Sequence, residues 1–187
     1  MPEKTQEKKE ANIVKEETKE LIMTLKSYNE IFSDFDSRPY NQRILSDDFI
    51  EELNREYRDM PSEKIRLKLL IPENQRNQEE ETIIKKRIND YFKQRYIANY
   101  KTYKNKIKSG IWLIIIGIIL TAIYIFLITK IEILKISFLE TIISVGVWFC
   151  FWEGAYLILF DTNNEKPILD FCKAMANAKI SFESTTK

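Results

Sequence analysis

The feature that most constrains this chain is an uninterrupted apolar run near the middle of the sequence. Residues 111–128 read IWLIIIGIILTAIYIFLI and contain no charged side chain. As a helix, this run is about 27 Å long, close to the thickness of the hydrocarbon core of a bilayer. Trp112 and Tyr124 lie toward its two ends, where amphipathic rings favour the membrane interface. The run predicts a transmembrane helix, because a soluble domain of this size could not cover so uniformly apolar a helix.

A second apolar run covers residues 136–160 and follows the first after a link of about seven residues. The polar segment 161–164 is expected to end it with a turn. So short a link forces two spanning helices into an antiparallel hairpin, which leaves both ends of the chain on one side of the membrane. The sequence therefore predicts a two-helix membrane hairpin, with spans at residues 111–129 and 137–160.

Lysines flank the predicted hairpin unequally. Seven lie outside it, at Lys101, Lys104, Lys106, Lys108, Lys166, Lys173 and Lys179, whereas the link carries only Lys130 and Lys135. Because lysine and arginine favour the cytoplasmic side, we predict a cell-membrane protein with both termini in the cytoplasm. The polar residues 1–12 are followed by no apolar segment typical of a secretory signal. The predicted membrane-interface anchors are Trp112, Trp148, Trp152, Lys104, Lys106 and Lys108.

Glu153 is the most informative polar residue of the predicted spans. It lies about 10 Å inside the second span, where a charged carboxylate is costly. One interpretation is an ion or proton site, or a polar contact between protomers. The other is a carboxyl group that reaches the interface or bonds to a Tyr or Trp of its own hairpin. The second is preferred, because no intramembrane base accompanies Glu153.

Small and aromatic residues in the spans indicate packing surfaces. Trp148, Trp152 and Tyr156 recur every four residues, which predicts a stripe for hairpin packing and interface anchoring. Small residues allow close helix approach. The glycines in question are Gly117, Gly146 and Gly154, of which the last two share a helix face.

The segment before the spans predicts a small α+β domain. Residues 12–32 carry apolar side chains at helical spacing, which indicates a docking helix or a coiled-coil arm. Ser46 precedes two aspartates and an apolar face, which predicts a helix that is closed by Pro61. Residues 65–71 alternate as a strand does, and their best partner is residues 178–183.

Two further helices are predicted on either side of the hairpin. Residues 77–108 keep helical spacing without Pro or Gly, so we predict a helix from about Glu79 that continues into the first span. Ser109 and Gly110 form a point at which it can bend. Pro167–Asn177 reads as a short amphipathic helix that packs back on this stalk. Its predicted apolar contacts are Ile168, Leu169, Phe171 and Met175.

Composition argues against several classes of function. The chain has no His, which removes His-based nucleophile activation and His-ligated metals, and we predict no catalytic, metal or cofactor site. Its 29 basic and 28 acidic residues interleave, so no basic face for nucleic acid is expected. Cys150 and Cys172 are interpreted as reduced packing residues.

Several motifs occur together in this chain. They are FDSRP at residues 35–39, LSDDFI at residues 45–50, a strand, a long helix and a two-span hairpin with a Trp-x-x-x-Trp-Glu stretch at residues 148–153. In this combination, from about Phe32 to Phe182, the chain resembles an uncharacterised family of small prokaryotic two-span membrane proteins. The resemblance implies the architecture but no activity, and it places Arg38, Trp152 and Glu153 on motif positions.

The sequence as a whole predicts a membrane α-helical hairpin plus a small cytosolic α+β domain with about two strands. The predicted organisation is a disordered tail (1–12), a cytosolic domain and stalk (13–108), the hairpin (109–161) and a returning helix and strand (162–187). The expected function is a non-enzymatic membrane-anchored scaffold or adaptor, with the bilayer, a cytoplasmic protein or further copies of the chain as partners. The alternative is an oligomeric channel, transporter subunit or membrane effector that uses Glu153.

Overall fold

The computed structural model describes residues 18–130 and 137–185, so the predicted tail at residues 1–12 lies outside the described residues. The described chain is mostly helical, with two long apolar helices and a small parallel sheet. It divides into two compact units. We call residues 18–96 with 170–185 the sheet unit, and residues 97–169 the helix-pair unit. The predicted domain boundaries stay predictions.

The sheet has three parallel strands in the order β1-β2-β3. Strand β1 is Lys19–Thr24, β2 is Ile65–Ile71 and β3 is Lys179–Ser184. The pairing of β2 with β3, in which Arg66 lies opposite Lys179, confirms the strand pair predicted from alternation. Every second residue of β2, beginning with Ile65, is buried, as expected of a sheet with one face on the core.

The helix predicted within residues 12–32 is wrong where the structure describes it, and the strand count is three rather than about two. Residues 19–24 form β1, and a 3₁₀-helix follows at Tyr28–Ile31. Leu21 is buried while Ile22 is 54% exposed, which is the two-residue period of a strand. The parallel ladder to β2 outweighs the weak local helical preference of a short segment.

Helix α1, Asp47–Asp59, begins where Ser46 and the two aspartates predicted. Ser46 has the extended backbone of an N-cap, but its side chain makes no capping hydrogen bond. Its carbonyl oxygen instead accepts from the Ile50 amide at 3.1 Å. Phe49 and Leu53 of α1 are buried in the core of the sheet unit.

Helix α2, Gln78–Lys130, is a single helix of 53 residues, which confirms the predicted helix from about Glu79 through the first apolar run. Helix α3, Ser137–Tyr156, is followed by a π-helical turn at Leu157–Asp161 and then by α4, Thr162–Ala176. The expectation that residues 161–164 end the second apolar helix is therefore wrong.

Two polar side chains of that segment turn back on the helix instead of starting a turn. The Thr162 hydroxyl donates to the carbonyl oxygen of Ile158, and the Asn163 amide donates to that of Leu159. Because these bonds are made within the helix, polar residues here do not need to leave it.

The predicted amphipathic helix at Pro167–Asn177 corresponds to the second half of α4. Phe171 and Met175 are buried in the sheet unit, and the Phe171 ring lies 5.4 Å from that of Phe92 on α2. Ile168, which we expected to pack inward, is 45% exposed. Tyr57 of α1 completes the aromatic cluster at 5.4 Å from Phe171, so one core joins segments from both sides of the helix pair.

Candidate functional site

Two glycines bring the helices of the helix-pair unit into backbone contact. A Cβ atom built on Gly110 would lie 2.8 Å from the carbonyl oxygen of Gly154, and one built on Gly154 would lie 2.8 Å from that of Gly110. Real Cβ atoms do not approach backbone so closely, so both positions require glycine. Farther along, the Cβ position of Gly117 is 3.3 Å from Cys150 Cβ. Helices α2 and α3 therefore run antiparallel in close contact.

Two of the three glycines predicted to be points of close approach lie in this contact, namely Gly117 and Gly154. Gly146 does not, since no described atom lies within 4 Å of its Cβ position. Gly110, which the sequence suggested only as a bend, is the contact that we missed. Its seven-residue spacing from Gly117, which places both on one helix face, was the available signal.

A charged cluster lies at one end of the paired helices. The Lys106 ammonium is 2.9 Å from Asp161 on the π-helical turn and 2.9 Å from Glu165 on α4. The hydrogen bonds that Lys106 donates to Glu165 and Asp161 raise its pKa, although partial desolvation opposes them. Lys106 thus neutralises acids of the facing helix at the edge of the apolar surface.

The other end of the pair is also closed by a polar contact. The Tyr124 hydroxyl of α2 lies beside the Glu140 carboxylate of α3. Between this contact and the Lys106 cluster, the atoms nearest to the Cβ positions of Gly110, Gly117 and Gly154 belong to small or apolar residues. The two polar contacts therefore mark the limits of the apolar part of the helix pair.

The outward surface of the pair is apolar and uncovered. Within the most apolar stretch of each helix, only 11% of the first and 6% of the second is buried. The aromatic stripe of α3 is part of this surface: Trp148 and Trp152 stack with parallel rings 5.5 Å apart and are 67% and 59% exposed. Tyr156 stacks on Phe160 in the same manner at 5.9 Å. The stripe therefore does not pack within the hairpin, contrary to one of its two predicted roles.

Glu153 is half-buried beside the helix contact, one residue before Gly154. No hydrogen bond or ion pair joins its carboxylate to another residue in the part of the chain that the structure describes. A bond to a Tyr or Trp of its own hairpin, which we had expected, is therefore absent among these residues. An acceptor without a partner is left beside an apolar surface.

The predicted interface anchors lie on this unit but are not all free. Trp112 is 55% exposed, and the Lys104 ammonium lies 5.7 Å from the centre of the Tyr100 ring. Lys106 belongs to the charged cluster described above, and Lys108 is exposed. Their assignment as interface anchors stays a prediction.

The sheet unit holds a buried polar network that the sequence did not reveal. Glu81, only 3% exposed, accepts two bonds from the Arg76 guanidinium, at 2.9 and 3.1 Å, and one from the Tyr28 hydroxyl at 3.1 Å. Burial raises the pKa of Glu81, but the bonds from Arg76 and Tyr28 outweigh it and leave the pKa lowered. Arg76 also donates to Ser184 and to the Phe182 carbonyl oxygen, so the network ties β3 to the start of α2.

Two further sets of charged groups in the sheet unit pair with one another. Asp36 of the FDSRP segment binds Arg38 at 2.8 and 2.9 Å, while Phe35 beside it is fully exposed. Across the strands, Glu20 pairs with Arg66 at 3.0 Å and with Lys68 at 2.9 Å. Among residues 18–130 and 137–185, no group of three or more Cys, Asp or Glu side chains could hold a metal ion.

Comparisons with known proteins give no relative. No protein-family model matches the chain, no curated protein is detectably similar to it in sequence, and no solved structure is detectably similar to it in fold.

Proposed function

We propose that this chain is an integral membrane protein whose helices α2 and α3 cross the bilayer as a hairpin, at residues 111–129 and 137–160. The sheet unit then acts in the cytoplasm as a non-enzymatic membrane-anchored scaffold or adaptor. The observation that carries the proposal is the uncovered apolar surface of the helix pair. Apolar side chains that are neither covered by protein nor placed in lipid would be exposed to water at a large cost.

The low burial of the two helices favours a bilayer over a soluble core or a signal sequence. The core helix of a soluble domain is mostly covered by its neighbours, whereas these stretches are only 11% and 6% buried. More than 100 residues precede the first run, so it is not placed as a signal sequence is. The lengths of both runs match the hydrocarbon core.

The order of the strands supports two crossings rather than one. Strands β1 and β2 precede the helix pair and β3 follows it, yet β2 and β3 are hydrogen-bonded neighbours. A sheet cannot be assembled across a bilayer, so the segments on either side of the pair share one side of the membrane. The lysine-rich flanks at residues 101–108 favour the cytoplasm as that side.

The scaffold role is supported by how the polar groups of the sheet unit are used. Arg76 is paired with Glu81, and Arg38 is paired with Asp36, which also accepts a hydrogen bond from the Ile44 backbone amide. Groups that are fully paired hold a fold in one arrangement, but they do not present a free nucleophile, acid or base. The sheet unit thus suits binding by its surface better than chemistry.

Cysteine accessibility tests the topology. Cys150 and Cys172 are replaced by Ser, and single cysteines are placed at Asn41, Glu132 and Glu183. A membrane-impermeant maleimide should label the cysteine at 132 in intact cells, and those at 41 and 183 only after lysis. Labelling of all three from one side, or release of the protein by alkaline carbonate, would contradict the proposal.

A second candidate is an oligomeric channel, transporter subunit or membrane effector, and the unpartnered Glu153 carboxyl favours it. Two helices cannot enclose a pore, so this function requires several copies. Its test is ion flux through liposomes that contain the purified protein, compared with the Glu153→Gln variant. Flux that is lost in the variant would support an ion site, and unchanged flux would remove Glu153 from the mechanism.

A further inference from the structure

Helix α3 presents two different flanks beside its contact with α2. With about 100° between successive residues, Trp148 and Trp152 lie on one side of the outward face. Gly146 and Glu153, seven residues apart, lie together on the other side. We call these the tryptophan flank and the glycine–glutamate flank.

The tryptophan flank is not explained by the membrane interface. In a span of residues 137–160, Trp148 is about 17 Å from either end, near the middle of the hydrocarbon core. Indole rings prefer the interface, where the N–H group can bond to water or headgroups. Neither indole N–H bonds to a residue that the structure describes. Lipid tails offer no acceptor, so both donors lack a partner at this depth.

The glycine–glutamate flank offers a hydrogen-bond acceptor and space for a bulky side chain, which the tryptophan flank requires. Gly146 leaves a notch, because its Cβ position has no described atom within 4 Å. Glu153 provides an acceptor without a partner beside that notch. The two flanks are complementary in shape, bulky rings against a notch, and in hydrogen bonding, donor against acceptor.

The flanks also lie at matching depths. Trp152 and Glu153 are adjacent in sequence, and Trp148 is two residues from Gly146, so each pair differs by about 3 Å or less along the helix axis. Copies related by rotation about the membrane normal keep every residue at its depth. One copy's tryptophan flank can therefore meet the next copy's glycine–glutamate flank in a head-to-tail contact, which closes into a ring.

From these observations we infer that a second copy of this chain occupies the outward face of α3, with its tryptophan flank against the glycine–glutamate flank and an indole N–H donating to Glu153. The inference rests on the proposed membrane insertion. It gives Glu153 a role in assembly, as the acceptor of a contact between protomers. Interhelical hydrogen bonds and small-residue notches are the usual means by which membrane helices associate.

The test is the mass of the full chain in detergent, by light scattering or native mass spectrometry, over a range of protein-to-detergent ratios. We expect an oligomer of three or more copies. Gly146→Leu, which fills the notch, and Glu153→Ala, which removes the acceptor, should each weaken association by roughly tenfold or more. Glu153→Gln retains an acceptor and should assemble as the native chain does.

Two matched controls separate this surface from general effects. Trp152→Phe removes an indole N–H from the tryptophan flank and should weaken association, whereas Trp112→Phe removes one from α2 and should not. Carbonate extraction of each variant reports membrane insertion independently. Release of the native protein by carbonate would refute membrane insertion, whereas a membrane-held native monomer would overturn only the present inference.

Cross-linking tests the head-to-tail geometry. In a chain that lacks Cys150 and Cys172, cysteines are placed at Thr141, seven residues before Trp148, and at Ile142, four residues before Gly146, which puts one on each flank near one end of the span. The double variant should give a ladder of cross-linked copies in membranes, and either single variant should give none. Efficient dimers from a single variant would show a two-fold contact and overturn the inferred arrangement.

Discussion

Asp36 shows how one carboxylate organises a loop without a regular element. Its two oxygens accept from the Arg38 side chain and from the amides of Arg38 and Ile44, at 2.8 to 3.1 Å. These bonds, the one from the Arg38 side chain first, lower the pKa of Asp36 well below its usual range. The resemblance placed Arg38 on a motif position. The structure gives Arg38 a local role, because its side chain binds Asp36, and Asp36 in turn binds the loop backbone at Ile44.

The lowered pKa of Asp36 predicts an acid-sensitive loop. A carboxylate whose folded pKa lies below its ordinary value of 3.8 stabilises the fold above that pH. The contribution is lost as the pH falls through the folded pKa. We expect the Ile44 amide to be protected from hydrogen exchange at pH 5, and its protection to decline progressively as the pH falls from about 4 toward the folded pKa, after correction for intrinsic rates.

Two variants make the assignment specific to this carboxylate. Asp36→Asn should reduce the protection of the Ile44 amide at pH 5 and remove its acid dependence. Asp34→Asn, a neighbouring carboxylate outside this set of bonds, should leave both unchanged. An acid dependence that persists in Asp36→Asn would show that another group controls the loop.

The pair of Arg76 and Glu81 leads to a prediction about stability. Arg76→Ala would leave the Glu81 carboxylate buried with only the Tyr28 hydroxyl as a partner, and removing one member of a buried pair is strongly destabilising. Because the Arg76 side chain is 27% exposed, we expect a loss of about 2–3 kcal/mol in the free energy of unfolding, below the roughly 3–5 kcal/mol of fully buried pairs.

Pulse proteolysis in urea measures this loss for the sheet unit in the full chain. Glu81→Gln keeps an acceptor for Tyr28 and leaves a cation that can reach water, so its cost should be smaller. The double change of Arg76→Ala with Glu81→Gln should be less destabilising than Arg76→Ala alone. Equal costs for the double variant and Arg76→Ala would refute the idea that a stranded charge is the cause.

At the scale of elements, the sequence predicted best where one period persisted over a long segment. The alternation in residues 65–71 identified β2, and the helical spacing through residues 77–108, followed by the apolar run at 111–128, identified α2. The segment before residue 32 was misread because Leu21, Leu25 and Tyr28 lie at both helical spacing and strand-to-turn positions. Only the ladder to β2, formed by residues more than 40 positions away, decides between them.

The sequence identified the residues of the candidate site but not the contacts that they make between α2 and α3. Glu153 and the tryptophan stripe stand out in any apolar run, yet which face of α3 meets α2 depends on the facing helix. Gly146 and Gly154 share a helix face in outline, but only Gly154 lies opposite a second glycine. The size of a residue on one helix therefore does not predict which residue of the facing helix lies opposite it.

The register of the two helices can be tested by a disulfide. The Cβ position of Gly117 is 3.3 Å from Cys150 Cβ, close to the separation found in disulfides. Gly117→Cys should therefore form an intramolecular disulfide with Cys150 under mild oxidation, detected as a faster band on non-reducing gels. Ile116→Cys, on the next helix position and 42% exposed in the native chain, should not. A disulfide of equal yield from position 116 would contradict the register.

At the scale of the whole molecule, the sheet unit is discontinuous in sequence. Its first part ends near Tyr96 and its last part begins near Asp170, with the entire helix pair between them. The mean hydropathy of −0.32 averages over these two kinds of unit and describes neither. The sheet unit can fold completely only when the segment after the helix pair is present, because that segment supplies β3, the third strand of the sheet.

This dependence predicts that loss of β3 destabilises the sheet unit but leaves the helix-pair unit folded. Deleting residues 179–187 removes β3, exposes the edge of β2 and takes two acceptors from Arg76, the Ser184 hydroxyl and the Phe182 carbonyl oxygen. Unpaired strand edges and uncovered apolar side chains destabilise a domain this small. We expect residues 18–96 to become sensitive to protease, whereas the helix pair, whose contacts lie within residues 97–169, stays resistant to carbonate extraction.

Limited proteolysis of membrane vesicles, followed by mass spectrometry of the fragments, measures both outcomes in one experiment. Removal of residues 186–187 alone, which leaves β3 and the bond from the Thr185 amide to Ile71 in place, is the control and should behave as the native chain does. If the truncated protein kept a resistant sheet unit, β3 would be an accessory strand. If it lost membrane association instead, the two units would form one cooperative structure, since a fault in the sheet would then unfold the helices.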